Sequence, residues 1–339
     1  MEISASDVLR FVTTERLVGQ LADVYTPAAL GSIGTGDLCF AHRMEAGRFT
    51  ELVDKHSSGN LVFTTPELLA TLPQDWLEAF CGSNALVSST SPRADFMMVV
   101  RNALDADYAL MQPAGLREHP LGRVADDVEI AVSARVEGPV VAGAGVRVGE
   151  RARIGMRSVL AEGVRIWEHV EVGRDCRFGT NALIGTRVDA YERAQDADDS
   201  SNTASRWSDM PQLGGLRIGN DVRVGANCIV NRGTLADTLI EDGCRIGDRV
   251  VIGHNSRIGE GSAITAGAVV CGSVNIGRNV WVGPGVVLKN KVRIEDDAFI
   301  GIGCVVVDDV PAGETLLPAP NFGAAELIAF RRLLRRSRS

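Results

Sequence analysis

An aliphatic residue stands at every sixth position from Ile240 to Val306: Ile240, Ile246, Ile252, Ile258, Ile264, Val270, Ile276, Val282, Leu288, Ile294, Ile300 and Val306. In a chain that is 45% hydrophobic, such a run in one phase arises by chance on the order of 10⁻⁴ of the time. Period six excludes both the amphipathic helix and the simple alternating strand. It is the repeat of a parallel β-helix, in which three short strands and three turns close a triangular coil of about 18 residues. The aliphatic side chains point inward, each contributing roughly 1.5–3 kcal/mol on full burial before chain entropy offsets most of it. One coil has no stable core; a stack does. Glycine follows many of the aliphatics, as in Ile246-Gly247, Ile252-Gly253 and Ile258-Gly259. A cramped corner needing no Cβ and unusual φ/ψ explains that preference.

The same phase runs earlier, through Val124, Ile130, Val136, Ala142, Val148, Ile154, Leu160, Ile166, Val172, Phe178 and Ile184. It breaks over residues 186–215, a polar, acidic stretch long enough to be a functional excursion or disordered. The ladder resumes at Ile218, Val224 and Val230 and slips across NRGTLADT before Ile240. Three inward positions per coil gives about nine coils. Residues 1–118 lack the repeat and read as a small α/β domain. Leu61-Val62-Phe63 and Ala85-Leu86-Val87 read as strands, and Pro66 to Phe80 as helix interrupted at Pro73. Ser91-Pro92 opens a further helix through Leu104, and Tyr108 to Pro120 reads as a linker. The expected organisation is an α/β domain over 1–118 and a β-helix over 119–312. A helix over Ala324 to Leu334 with a basic tail then fills 313–339.

A formal net charge of −8 argues against a general nucleic-acid binder. The 7 cysteines are scattered, with no C-x-x-C pair, which suits a reduced protein without structural zinc. No apolar run reaches membrane-spanning length, so the expectation is a cytoplasmic protein without a transmembrane segment.

Within the repeat the histidines are His169 and His254. His254 lies two places after the inward Ile252 and should face outward, towards solvent or a neighbouring subunit. A neutral imidazole there is a natural general base for an amine or hydroxyl proton. Spacing alone favours a surface histidine without a role.

IGHNSRIG, the preceding NRGTLADTLIEDG and the upstream MPQLGG resemble segments of the UDP-3-O-acylglucosamine N-acyltransferases of lipid A biosynthesis. GSNALVSSTSPRADFMMVV is similar to the end of that family's N-terminal nucleotide-binding domain. The resemblance implies a left-handed β-helix, a homotrimer and active sites between adjacent subunits. It implies that His254 takes a proton from a sugar amine attacking an acyl thioester, carried by acyl carrier protein or coenzyme A, with no permanently bound cofactor. Asp237, roughly one coil earlier, is the candidate to orient the imidazole, although Asp is also a common turn residue. Backbone N–H groups near Gly272, one coil later, are the candidate oxyanion donors. Asn255 is a candidate substrate contact, and Trp281 and Lys291 are candidate contacts to the acyl donor.

Several positions depart from the family pattern. Lys291 aligns where the family has a second histidine. The family's aromatic-Asn-aromatic uracil pattern falls on Phe40, Arg43 and Ala46, so the nucleotide stays open. Phe40 can stack on a base or simply pack in the core. Arg331 and Arg335, in a tail that also holds Arg332, Arg336 and Arg338, could dock an acidic carrier protein or anionic lipid, or form a solvated terminus. The segment DDAFIGIGCVVVDDVPAG resembles acetyl-CoA-dependent sugar acetyltransferases, making acetyl transfer an alternative. A zinc enzyme of the hexapeptide carbonic-anhydrase type and a non-catalytic trimeric scaffold for nucleotide sugars are the other readings.

Overall fold

The computed structural model describes residues 3–10, 12, 16–19, 21–27, 35–41, 45–53, 57–104, 117–188, 191–194, 206–209 and 212–318. Arg43, the Ala324–Leu334 helix, Arg331 and Arg335 lie outside the described residues. The chain forms two compact units, Met1–Met111 and Gln112–Ser339.

The first unit carries a 6-stranded sheet. Its four central strands, Val24–Pro27, Asp37–Phe40, Leu61–Thr64 and Ala85–Ser88, are parallel, and antiparallel strands flank them. Leu61–Thr64 is buried throughout, as expected of a strand covered on both sides. The helix Pro66–Thr71 begins where Thr65 Oγ1 accepts the Leu68 N–H at 3.1 Å. It ends before Pro73, and Gln74–Cys81 starts anew, so the proline break is real.

The second unit is a parallel β-solenoid with three faces of 8, 9 and 11 strands, the last including the antiparallel opening strand Arg117–His119. Inward residues pair one coil apart, Ile246 with Ile264 and Ile264 with Val282, and a single aliphatic cluster fills the prism. Phe178, at 0% exposure, is its one aromatic among the buried members.

Apart from Gly185, whose φ is 86°, the glycines after the inward residues have no positive φ and owe their place to crowding. A Cβ on Gly253 would come within 2.6 Å of Gly272 N in the next coil. Positive φ falls two residues later, at the turn, as at Asn255 (57°) and Ser273 (62°). The expectation of unusual φ at the corner glycine is therefore corrected: close coil stacking excludes its Cβ, and the neighbouring turn residue takes the left-handed conformation.

The excursion after Leu183–Thr186 contains an antiparallel pair, Tyr191–Ala194 with Arg206–Asp209. The three outer faces differ in chemistry. One carries Arg135, Arg153, Glu171, Arg217, Arg257 and Arg293 and is charged almost throughout. A second presents Leu183, Ile229, Val251, Val269, Val287 and Val305 in unbroken register. The third mixes Arg177, Arg223 and Arg245 with Trp281 and Phe299.

Candidate functional site

His254 follows the rung Val251–Ile252 of the aliphatic face, at the corner two residues beyond the inward side chain. The equivalent corner positions one coil before and after are Arg232 and Gly272, and Glu168 occupies the same corner three rungs earlier. A column of chemistry thus runs up one edge of the prism.

The slip in the repeat supplies the support beneath His254. Ten residues separate the inward Val230 from Ile240 where the repeat needs six, and the surplus folds back over residues 212–215. Leu213 and Gly214 donate to Thr234 O at 2.6 and 2.9 Å, and Gly233 donates to Gly215 O at 2.9 Å. On this platform Asn255 is held at both ends of its amide. Its Nδ2 donates to Ala236 O at 2.8 Å, and its Oδ1 accepts the Thr234 N–H at 3.1 Å. Neither backbone group can reverse its polarity, so the amide has one orientation.

That orientation fixes the histidine. Asn255 Oδ1 lies 2.8 Å from His254 Nδ1, with Thr234 Oγ1 at 3.2 Å. An amide oxygen only accepts, so Nδ1 carries the proton and Nε2 presents its lone pair. A Cβ at Gly272 would sit 2.6 Å from Nε2, and glycine keeps that space open. The half-buried ring therefore presents its Nε2 lone pair beside the Gly272 backbone.

Asp237 is not the orienting group. Its Oδ1 accepts the Gly215 N–H at 2.7 Å and its Oδ2 meets Arg217 Nε at 2.8 Å. Asp242, Asp248 and Asp296 cap the corner amides of Asn220, Ala226 and Arg278 in the same way. Asp237 belongs to this repeated device, in which a carboxylate closes the amide one coil below. Asn255, expected as a substrate contact, is the residue that holds His254.

Lys291 is exposed and donates its backbone N–H to Gly272 O at 3.1 Å, one coil above the histidine's glycine neighbour. Trp281 projects from the mixed face at 43% exposure, stacked on Phe299 with centroids 6.3 Å apart. Phe40 ends the strand Asp37–Phe40 and packs on Phe96 at 5.1 Å in the first unit, half-buried. His169 sits at an exposed corner three rungs from His254, about 15 Å at strand spacing, too far to share a metal ion.

Sequence reasoning missed Thr234, Arg232 and Glu168. Arg232 is 4% exposed and donates to Gly214 O at 2.7 Å and to Glu168 Oε1 at 2.8 Å. Arg187 meets the same Glu168 oxygen at 2.9 Å. Burial alone would raise the Glu168 carboxyl; a backbone hydrogen bond and the two guanidinium groups outweigh it and hold the carboxyl below its usual range. The surplus length of NRGTLADT was the only signal for this network.

Two hexapeptide profiles match this part of the chain: that of the bacterial transferase hexapeptide (six repeats) over residues 237–272, and that of the hexapeptide repeat of succinyl-transferase over 215–235. Residues 215–235 and 237–272 thus carry hexapeptide repeats. The chain is 33% identical over 153 residues to UDP-3-O-acylglucosamine N-acyltransferase of Bordetella pertussis, covering 45% of this chain and 41% of that protein. It is 40% identical over 103 residues to the protein of the same name from Albidiferax ferrireducens, covering 30% of this chain and 31% of the relative. The chain thus spans well under half the length of these relatives. Among solved structures it is similar to UDP-N-acetylglucosamine O-acyltransferase of Moraxella catarrhalis, at 24% identity, 63% of this chain, 77% of that chain and a TM-score of 0.42.

Proposed function

We propose that this protein is an N-acyltransferase that moves an acyl group from a thioester carrier to the amine of a nucleotide-activated amino sugar, on the route to lipid A or a related surface glycan. The observation that carries the reading is the enforced Nδ1–H tautomer of His254, which leaves Nε2 as a base beside a glycine-walled space. The named relatives supply the reaction class.

In this reading the amine attacks the thioester carbonyl and the C–N bond forms. Nε2 accepts the amine proton, and the Gly272 backbone N–H stabilises the oxyanion. Collapse breaks the C–S bond, and the imidazolium returns its proton to the departing thiolate. Acyl carrier protein and coenzyme A are the candidate carriers.

The aliphatic face supports a homotrimer. Six unbroken rungs of Leu, Ile and Val on an outer surface form a strip that a second copy of the chain would cover, while the charged face stays in water. His254 stands at the edge of that strip, so the packed neighbour completes its groove.

The test is transfer from acyl carrier protein or coenzyme A thioesters to a UDP-linked 3-O-acylglucosamine. Wild type should form the amide, and His254→Ala should lose 10²–10⁴-fold, the usual weight of a general base, while keeping its fold. Turnover near wild type in His254→Ala would overturn the mechanism.

A further inference from the structure

We infer that a cleft at the N-terminal end of the aliphatic face binds the diphosphate group of a substrate, with Arg165 as its anchoring cation. The assignment rests on the proposed acyl transfer only for its direction, from this cleft towards His254.

The cleft has a volume of about 630 Å³ and spans the rungs three to five below His254, on the same face. Its outward residues are Glu129, Arg147 and Arg165, in register on consecutive rungs. Ala131 and Gly149 leave a low floor at the corner positions, and Trp167 stands beside them.

Charge accounting within the cleft singles out one group. Glu129 is matched by Arg147, with Nε to Oε2 at 3.1 Å. Glu168, at the lip, is matched twice, by Arg187 and Arg232. Arg165 has no ion pair among the described residues, and its in-register neighbour on one side is the like-charged Arg147. Glu129 offsets Arg147 but leaves Arg165, on a rung about 4.8 Å away, without a counter-charge, so the pair of guanidinium groups keeps a net positive charge that a bound anion would offset. Their planar donor forks suit the oxygens of two linked phosphates.

The distance to His254 gives the cleft its use. Three rungs are about 15 Å, and the long arginine side chains shorten the gap. A sugar nucleotide laid along this edge, with its diphosphate met by an Arg165 side chain reaching up the face, would direct its sugar towards Nε2. The diphosphate of coenzyme A is the same chemistry from the donor side, and the experiment separates the two.

Titration calorimetry on the full chain should use inorganic pyrophosphate, uridine 5′-diphosphate and coenzyme A as probes. Pyrophosphate should bind wild type, weaken at least 10-fold in Arg165→Gln and recover in part in Arg165→Lys. Arg165 is exposed on the outer surface, so neither change touches the core. A parallel loss for uridine 5′-diphosphate assigns the cleft to the sugar nucleotide; one for coenzyme A assigns it to the donor. Unchanged binding of all probes in Arg165→Gln, or no pyrophosphate binding by wild type, overturns the site. His254→Ala keeps the two readings apart: it should bind pyrophosphate as wild type does. Its full activity would remove the acyl-transfer reading alone.

Discussion

His254 Nδ1 and Asn255 Oδ1 lie 2.8 Å apart, and the amide is held from behind by Thr234 N–H and Ala236 O. The residue next in sequence to the candidate base therefore sets that base's tautomer. Asn255→Ala should release the ring to its other tautomer and lower kcat on the order of 10–100-fold, with KM little changed, because proton acceptance is lost before binding is. Steady-state kinetics with both substrates varied checks this. An equal rise in KM with kcat intact would return Asn255 to substrate contact.

Gly272→Ala places a methyl group 2.6 Å from His254 Nε2. Glycine 272 has no positive φ, so the backbone tolerates alanine. The variant should keep its melting temperature within a few degrees while losing at least about 100-fold in transfer. Paired calorimetry and activity assays decide it.

Arg232→Ala leaves Glu168 with one cation and Gly214 O without its donor. Loss of a buried charge partner should destabilise by about 2–3 kcal/mol. The sign with pH follows from Glu168. Its carboxyl lies below its usual 4.5 in the folded state, so its stabilisation is present above that value and is lost as pH falls through the lower folded one. Denaturant titrations between about pH 3 and 7 should show wild type and Arg232→Ala differing most near neutrality and converging in acid.

Burial pushes the Cys39 and Cys176 thiols up to about 12 and the Cys244 thiol to about 11. Thiolate is the reacting form. At pH 8 a disulfide reagent should modify these three only as fast as the chain opens, at rates that rise with added denaturant.

Val251→Asp together with Val269→Asp puts two carboxylates in the middle of the aliphatic strip. Both residues point away from the solenoid interior, so the fold should persist while self-association fails. Analytical ultracentrifugation should show a trimer for wild type and a folded monomer for the double variant. A trimer in both would move the interface to another face.

The solenoid could be read from the chain almost coil by coil, because each inward residue from Val124 to Val306 is set by a strictly local repeat. Pro66, Pro73 and Pro92 likewise marked helix boundaries in the first unit by local sterics. The site was only half legible. The outward placement of His254 followed from its place in the repeat and its proposed role from the family resemblance, but the orienting role expected of Asp237 was misassigned because one coil of separation does not say which way a side chain turns. Its carboxylate turned down to Gly215 N–H, as corner aspartates do throughout this solenoid.

What the sequence by itself determined was period, and with it the core, the number of coils and the outward placement of His254. Those are consequences of neighbours six residues apart burying the same atoms. The tertiary structure decided partnership: Asn255 on His254, Glu168 under Arg232, Gly272 in front of Nε2. Each of those pairs depends on how an irregular segment, 231–238, stacks on the coils beside it. Hydrogen-bond geometry across coils, which no repeat encodes, then chooses one partner from several within reach.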